Sequence, residues 1–272
     1  MSDFRYKKSM GQNFLVDPNT QRRIAEASLA EADGGVLEIG PGGGAITAIL
    51  AQMASKIVAV ELDRGLEPAL TELTAKYKNV EIVWADILKT DIKALAVSKL
   101  PEKRVVCANL PYNITTPAIA ALLDSAAFDT ITLMVQKEVA ARVVSPPGTK
   151  EYGAFSVYVT YMAGVEVLFD VPPDCFFPKP KVTSAVLRLT PRRHPDEAKD
   201  QTLFFKVVKS AFETRRKTLS NCLLRTFGQA LSKDQIAHLL DSLSLPQDVR
   251  GERLSVAQFA ALSNLLQEVL PK

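Results

Sequence analysis

The chain has 272 residues, with 33 Lys+Arg against 30 Asp+Glu and 47% hydrophobic side chains. At roughly 150 residues per domain that length predicts two domains with real cores, and so ordinary a balance excludes disordered and collagen-like chains. No run approaches the roughly 18 uninterrupted apolar residues of a membrane span, and Met1 to Gly11 is charged with no apolar h-region, so the chain reads as cytoplasmic.

Asp17-Pro18 is an N-cap followed by proline at the first helical position, and predicts a helix ahead of the first strand. Val36–Ile39, Ile57–Val60, Val80–Ala85, Val105–Ala108 and Ile131–Val135 are short Val/Ile-rich runs of the kind that form buried parallel strands. Helical patterns between them, such as Ile46, Ile49, Leu50 and Met53, make strand and helix alternate, which predicts a doubly wound α/β sheet. An apolar helix is expected after Phe155. Val165–Val171 and Val182–Leu189 then read as an antiparallel pair joined by the proline-rich Pro172–Pro180, and the polar His194–Gln201 as a linker. From Thr202 onward the period is helical throughout, with Ser232-x-x-Gln235 and Ser255-x-x-Gln258 as capping boxes. The expected domains are 1–193 and 194–272.

Gly40-Pro41-Gly42-Gly43-Gly44 follows the first of the parallel strands and precedes a helix, where a nucleotide's backbone must approach the main chain closely. The loop also satisfies a dinucleotide fingerprint, so by itself it does not separate one nucleotide cofactor from another. Glu61 ends the next strand, 21 residues past Gly40, where a carboxylate can accept from both ribose hydroxyls. Asp86 ends the strand after that and could accept from an adenine amino group, or simply cap a helix.

Asn109-Leu110-Pro111-Tyr112, at the end of the fourth parallel run, is more specific. The exocyclic amine of adenine is a poor nucleophile because its lone pair is delocalised into the ring. Two acceptors, the Asn109 side-chain oxygen and the Leu110 carbonyl, could bind its two N–H bonds and bend the nitrogen toward sp3, while Tyr112 stacks on the base. The three cysteines form no C-x-x-C pair and the two histidines, His194 and His238, come late. Neither a metal site nor histidine-centred acid/base chemistry is therefore expected.

With these motifs the sequence resembles the ribosomal RNA adenine dimethyltransferases of the small subunit, which depend on S-adenosylmethionine. Gly11-Gln12-Asn13-Phe14-Leu15, Leu37-Glu38-Ile39-Gly40-Pro41-Gly42, Glu61-Leu62-Asp63, Asn109 to Tyr112 and Gln136-Lys137-Glu138-Val139-Ala140 are similar to its signatures. So are Tyr152-Gly153, Phe176-x-Pro178-x-Pro180-Lys181-Val182-x-Ser184 and Arg215-Arg216-Lys217-Thr218-Leu219. The resemblance implies a Rossmann-like methyltransferase sheet with a small all-helical C-terminal domain. It implies that Asn13, Leu15, Gly40, Gly42, Glu61, Asp86 and Asn109 bind the cofactor, and that Asn109, Leu110, Tyr112 and Phe176 face the target base. It also implies a product, two adjacent dimethyladenosines near the 3′ end of small-subunit rRNA. Phe155 stands where Leu is expected and Gly251 where Pro is expected, both outside the site.

Charge is uneven. Up to Thr190 there are 20 basic and 21 acidic residues; from Pro191 on there are 13 and 9. Arg192, Arg193, Arg215, Arg216 and Lys217 are candidate phosphate contacts to rRNA in a precursor particle, against the plainer reading that Arg215–Lys217 pair with acids across the domain interface. A monomer is expected. Two other function classes fit parts of the pattern: a nicotinamide oxidoreductase, which lacks an early acid/base histidine, and a non-catalytic ribosome-assembly factor. A DNA adenine methyltransferase would share the Asn-x-Pro-Tyr logic but leaves the Phe176–Ser184 signature and the Arg215–Lys217 segment without a use.

Overall fold

The computed structural model describes residues 13–192 and 198–270, which fall into two compact units. The first comprises the described residues up to Ala140 together with Ala163–Pro191. It begins with β1 (Phe14–Leu15), α1 (Pro18–Ala27), β2 (Gly35–Ile39), α2 (Ala45–Leu50), β3 (Lys56–Glu61), α3 (Glu67–Lys76) and β4 (Val80–Trp84). There follow α4 (Ile92–Lys99), β5 (Arg104–Asn109), α5 (Thr115–Ser125) and β6 (Thr130–Gln136). α6 (Lys137–Val144) leads out to α7 (Ala154–Met162), and the chain returns through β7 (Ala163–Val171), β8 (Phe176–Phe177) and β9 (Ser184–Pro191).

α1 starts as the Asp17-Pro18 pair predicts. The Asp17 carboxylate accepts from the Thr20 N–H at 2.7 Å and the Thr20 hydroxyl at 2.6 Å, a cap of the kind that contributes about 1 kcal/mol. The seven-stranded sheet has the order β4-β3-β2-β5-β6-β9-β7. The first five strands are parallel; β9 joins β6, and β7 joins β9, antiparallel. Every residue of β2 is buried, as for a strand covered on both faces. The chain winds outward from β2 through β3 to β4, then crosses back to β5 on the other side. The β2/β5 boundary is thus a switch point, where the carboxyl ends of the strands leave a crevice for a ligand. The outer strand β7 carries a bulge between Val167 and Phe169, and its Glu166 and Asp170 pair with Arg188 and Lys137. Bulges and charges of this sort keep a sheet edge from pairing with another chain.

The second unit is helical: Ala141–Met162 joined by α8 (Gln201–Glu213), α9 (Leu219–Phe227), α10 (Lys233–Ser242) and α11 (Val256–Val269). Both predicted capping boxes form, at Ser232/Gln235 and Ser255/Gln258. The expected division at 193/194 places α7 in the sheet-bearing segment, but its packing lies elsewhere. Tyr161 stacks on Phe204 at 4.2 Å, and the Tyr152 hydroxyl donates to the Leu254 carbonyl at 2.7 Å. Val157 is fully buried in the same cluster as Phe204, Leu223 and Phe259. An apolar helix goes where its aromatic face finds partners, and those of α7 are on α8.

The two departures from the family pattern both lie in this unit. Phe155 stacks on Tyr158 at 6.5 Å. Gly251 is buried against α8, where a Cβ would come within 2.7 Å of the Ala211 Cβ and 2.8 Å of its carbonyl oxygen. Gly251→Ala should therefore destabilise the protein by about 1–3 kcal/mol through overpacking, read as a lower denaturant midpoint at unchanged slope. Wild-type stability would mean that α8 yields freely at this point.

Candidate active site

At the carboxyl ends of β2, β3 and β5 lies a cavity of about 390 Å³, entirely within the first unit. The loop after β2 opens it. Gly40 and Gly42 hold φ of 69° and 58°, a left-handed conformation costly for residues with a Cβ, and a Cβ on Gly42 would press on the Phe14 ring at 3.2 Å. The Gly40 N–H donates to the Val60 carbonyl, fastening the loop to the end of β3.

Two carboxylates line this cavity, Glu61 and Glu38, and its lining includes no lysine, arginine or histidine among the described residues. Glu61 accepts from the N–H groups of Leu62 and Asp63, both at 2.8 Å, and of Gly42 at 3.3 Å. Burial pushes its carboxyl above the usual range, while these three donors pull the other way. The carboxylate is thereby fixed against the glycine loop. Glu38 is more deeply placed and only 2% exposed. Its Oε2 has no hydrogen-bond partner, nor has the nearby Thr47 hydroxyl on α2. Burial pushes Glu38 up to about 8, and the charge of Glu61 adds to the effect; Thr47 is close enough to soften it but outside bonding geometry. Cys107 faces Glu38 in register on β5 and its thiol is pushed up, by burial first and by Glu38 second.

Asn109 ends β5. Its Nδ2 donates to the Asn13 carbonyl at 3.3 Å, which turns the side-chain oxygen into an acceptor with no protein donor among the described residues. Leu110 and Tyr112 follow on the cavity wall. The Leu110 N–H donates to the Met134 carbonyl, and the Tyr112 hydroxyl bonds to Ser184 Oγ at 3.0 Å. Ser184 is fully buried at the start of β9, so the two signatures Asn109–Tyr112 and Phe176–Ser184 meet at this bond.

Asn13, Leu15, Gly40 and Gly42 all line the cavity, with Glu61, Asn109, Leu110 and Tyr112. Asp86 and Phe176 do not. Asp86 instead caps the turn after β4, its Oδ1 accepting from the Leu88 N–H at 3.0 Å. Phe176 is 4% exposed in the core of the first unit. β8 pairs antiparallel with β1, setting Phe176 opposite Leu15 and Phe177 opposite Phe14, so the proline-rich segment holds the cavity's Asn13–Leu15 wall in place. Phe177, not Phe176, is the exposed ring of the pair, at 53%. Sequence reasoning passed over two residues here. Glu38 sits in a run read as apolar, where a lone carboxylate was itself a signal; Ser184 had no signal beyond its place in a signature.

Of the basic candidates, Arg192, Arg216 and Lys217 are exposed, and Arg193 lies outside the described residues. Arg215 is engaged: its Nε pairs with Glu252 at 2.6 Å and its Nη2 donates to the Thr149 carbonyl at 3.2 Å, all within the helical unit. The plainer reading, a pairing across the domain interface, is therefore not met: Arg215 pairs with an acid of its own unit, and Arg216 and Lys217 have no acidic partner among the described residues.

The ribosomal RNA adenine dimethylase family matches residues 3–268. Ribosomal RNA small subunit methyltransferase A of Geobacillus thermodenitrificans is 45% identical over 97% of this chain and 92% of its own length. The protein of the same name from Lachnoclostridium phytofermentans is 43% identical over 97% and 93%. Among solved structures, a dimethyladenosine transferase from Plasmodium falciparum superposes with a TM-score of 0.80 at 24% identity, covering 94% of this chain and 98% of that one. The 23S rRNA methyltransferase ErmE superposes at 0.71 with 27% identity, over 94% and 100%. The fold is thus shared by enzymes named for different ribosomal RNAs, while the relatives at high identity are named for the small subunit.

Proposed function

This chain belongs to the ribosomal RNA adenine dimethylase family, and from that premise we propose that it transfers methyl groups from S-adenosylmethionine to the N6 amines of two adjacent adenosines near the 3′ end of small-subunit rRNA. The substrate is a precursor particle in the cytoplasm, and the enzyme works on it as a monomer. The tether of Asn109 to Asn13 supports this most directly, because it dedicates the side-chain oxygen to accepting a hydrogen bond in a cavity whose glycine loop and Glu61 suit a nucleoside. The residues present fit the cofactor: the glycines leave main chain open to it, Glu61 presents a carboxylate to a ribose, and an unpartnered buried carboxylate oxygen stands in a lining with no cation among the described residues. Asn13, Leu15, Gly40 and Gly42 complete its seat. Asp86, outside the cavity lining at the end of β4, would accept from the amino group of adenine.

When bound, S-adenosylmethionine supplies an electrophilic methyl group. The chain's own residues act on the acceptor. Asn109 Oδ1 and the Leu110 carbonyl take the two N–H bonds of the amine, drawing its lone pair out of the ring, and Tyr112, steadied by Ser184, gives the base a face. The ammonium formed on attack is a strong acid and loses its proton to water, so no histidine is needed. His238 is exposed on α10, in the other unit. Phe176 serves by backing Leu15. Incubating the protein with labelled S-adenosylmethionine and undermethylated small subunits, then digesting the RNA, should put label in dimethyladenosine; no labelled nucleoside would reject the reading.

We assign RNA holding to the helical unit, through Arg192, Arg193, Arg216 and Lys217, because a target adenine must be extruded while the surrounding RNA is gripped by its phosphates. Replacing Arg192, Arg216 and Lys217 by Ala should weaken subunit binding and lower the slope of log affinity against log salt by about 0.7–0.9 for each phosphate no longer neutralised, with cofactor affinity unchanged. Arg215→Ala should act differently, lowering thermal stability, since it leaves Glu252 and the Thr149 carbonyl unpaired. An unchanged salt slope in the triple variant would remove these side chains from the RNA surface.

A further inference from the structure

The cavity holds a buried carboxylate that transfer chemistry does not use. Glu38 lies on the strand that carries the glycine loop and lines the cavity. Its Oε2 is buried without a donor. The groups facing it are Glu61 from the end of β3, Cys107 from β5 and the Thr47 hydroxyl from α2; no cation lines the cavity among the described residues. Such an oxygen is stable as a neutral acid, and becomes stable as an anion only when a positive charge enters beside it.

We propose that Glu38 is the charge sensor of the cofactor site: its buried oxygen, with no donor beside it, gives up a proton to solvent when a cationic ligand fills the cavity, and so favours the sulfonium methyl donor over the neutral thioether left after transfer. This rests on the proposed use of S-adenosylmethionine. The donor carries a sulfonium, an ammonium and a carboxylate, net positive by one charge; S-adenosylhomocysteine keeps the last two and is net neutral. The proton balance follows: Glu38–COOH plus the cation gives Glu38–COO⁻ with the cation bound and one proton in the buffer. Product release is the reverse, since the carboxylate loses its counter-charge and takes the proton back.

The sign of the pH dependence is set by where Glu38 titrates when empty, near 8. Below that value binding must expel a proton, so affinity for S-adenosylmethionine should rise up to about tenfold per pH unit and level off above it, while affinity for S-adenosylhomocysteine should vary less. Stability of the empty chain should move the opposite way. The folded state holds a proton that the unfolded state has lost, so stability falls as pH rises from the ordinary glutamate value of 4.5 toward about 8, then flattens.

Calorimetric titration of the full chain at pH 7 in buffers of differing ionisation enthalpy counts the protons. Wild type should release about one per S-adenosylmethionine and clearly fewer per S-adenosylhomocysteine. Glu38→Gln should release almost none and bind the two ligands with a reduced preference, whereas Glu61→Gln, which removes only a lesser contribution beside burial, should keep most of the release. Should Glu38→Gln fail to fold, carbon NMR of the wild-type glutamate carboxyls decides: one resonance should titrate near 8 when empty and be ionised at pH 7 once S-adenosylmethionine is added. Binding of both ligands with no proton release, or release that survives in Glu38→Gln and vanishes in Glu61→Gln, overturns the inference alone. Binding of neither ligand at any pH overturns the proposed function with it.

Discussion

Asn109→Ala should lower the rate of methyl transfer by about 10²–10³-fold while leaving the affinity for small subunits intact, a loss of the size seen when one oriented hydrogen-bonding group is taken from a reaction centre. The reason is geometric. Asn109 ends β5, the strand beside the switch point, and its amide nitrogen is spent on the Asn13 carbonyl, so its oxygen is committed before the adenine arrives. Removing the side chain deletes that acceptor and also the bond from Asn109 to the Asn13 carbonyl. Asn109→Asp separates the two effects: it keeps an acceptor for the amine but sets a carboxylate against the Asn13 carbonyl, so cofactor binding should suffer more than in the Ala variant. Single-turnover rates with pre-bound subunits, beside titration with S-adenosylhomocysteine, measure both. Near-wild-type turnover in Asn109→Ala would mean that the amine's lone pair is localised by some other group.

The parallel strands were legible because each is a continuous Val/Ile run, and strands buried on both faces leave that trace. The same habit of reading concealed Glu38: one carboxylate among Val36, Leu37 and Ile39 does not break a run, yet nothing in the local pattern says that its oxygen will lack a donor. Residues held by distant partners were illegible for a related reason. Phe176 follows a proline-rich turn, which marks a loop, but its burial depends on pairing with Leu15 near the other end of the unit. Arg215 stands in a basic triplet that looks solvated, and its partner Glu252 lies 37 residues on. α7 is apolar enough to pack almost anywhere. Phe204 and Phe205 on α8, with Leu254 beyond them, are among the residues that place it in the helical unit.

Glu61→Ala should weaken binding of S-adenosylhomocysteine by about 1–3 kcal/mol, the worth of hydrogen bonds to a charged group, and should also lower the stability of the empty chain. The second effect is a consequence of the structure, because the carboxylate accepts from Leu62, Asp63 and Gly42 before any ligand is present. Truncation leaves these N–H groups short of an acceptor beside the glycine loop. Glu61→Gln is the sharper variant. Its remaining carbonyl oxygen can keep part of this backbone anchorage, so the loop should hold its shape while the charged acceptor for the ribose hydroxyls is lost. Affinity should then fall with little change in melting temperature. Titration calorimetry and thermal unfolding of both variants separate the two roles: unchanged affinity in Glu61→Ala would place the ribose elsewhere, and equal losses of stability in both variants would show that the charge, rather than an acceptor oxygen, holds the loop.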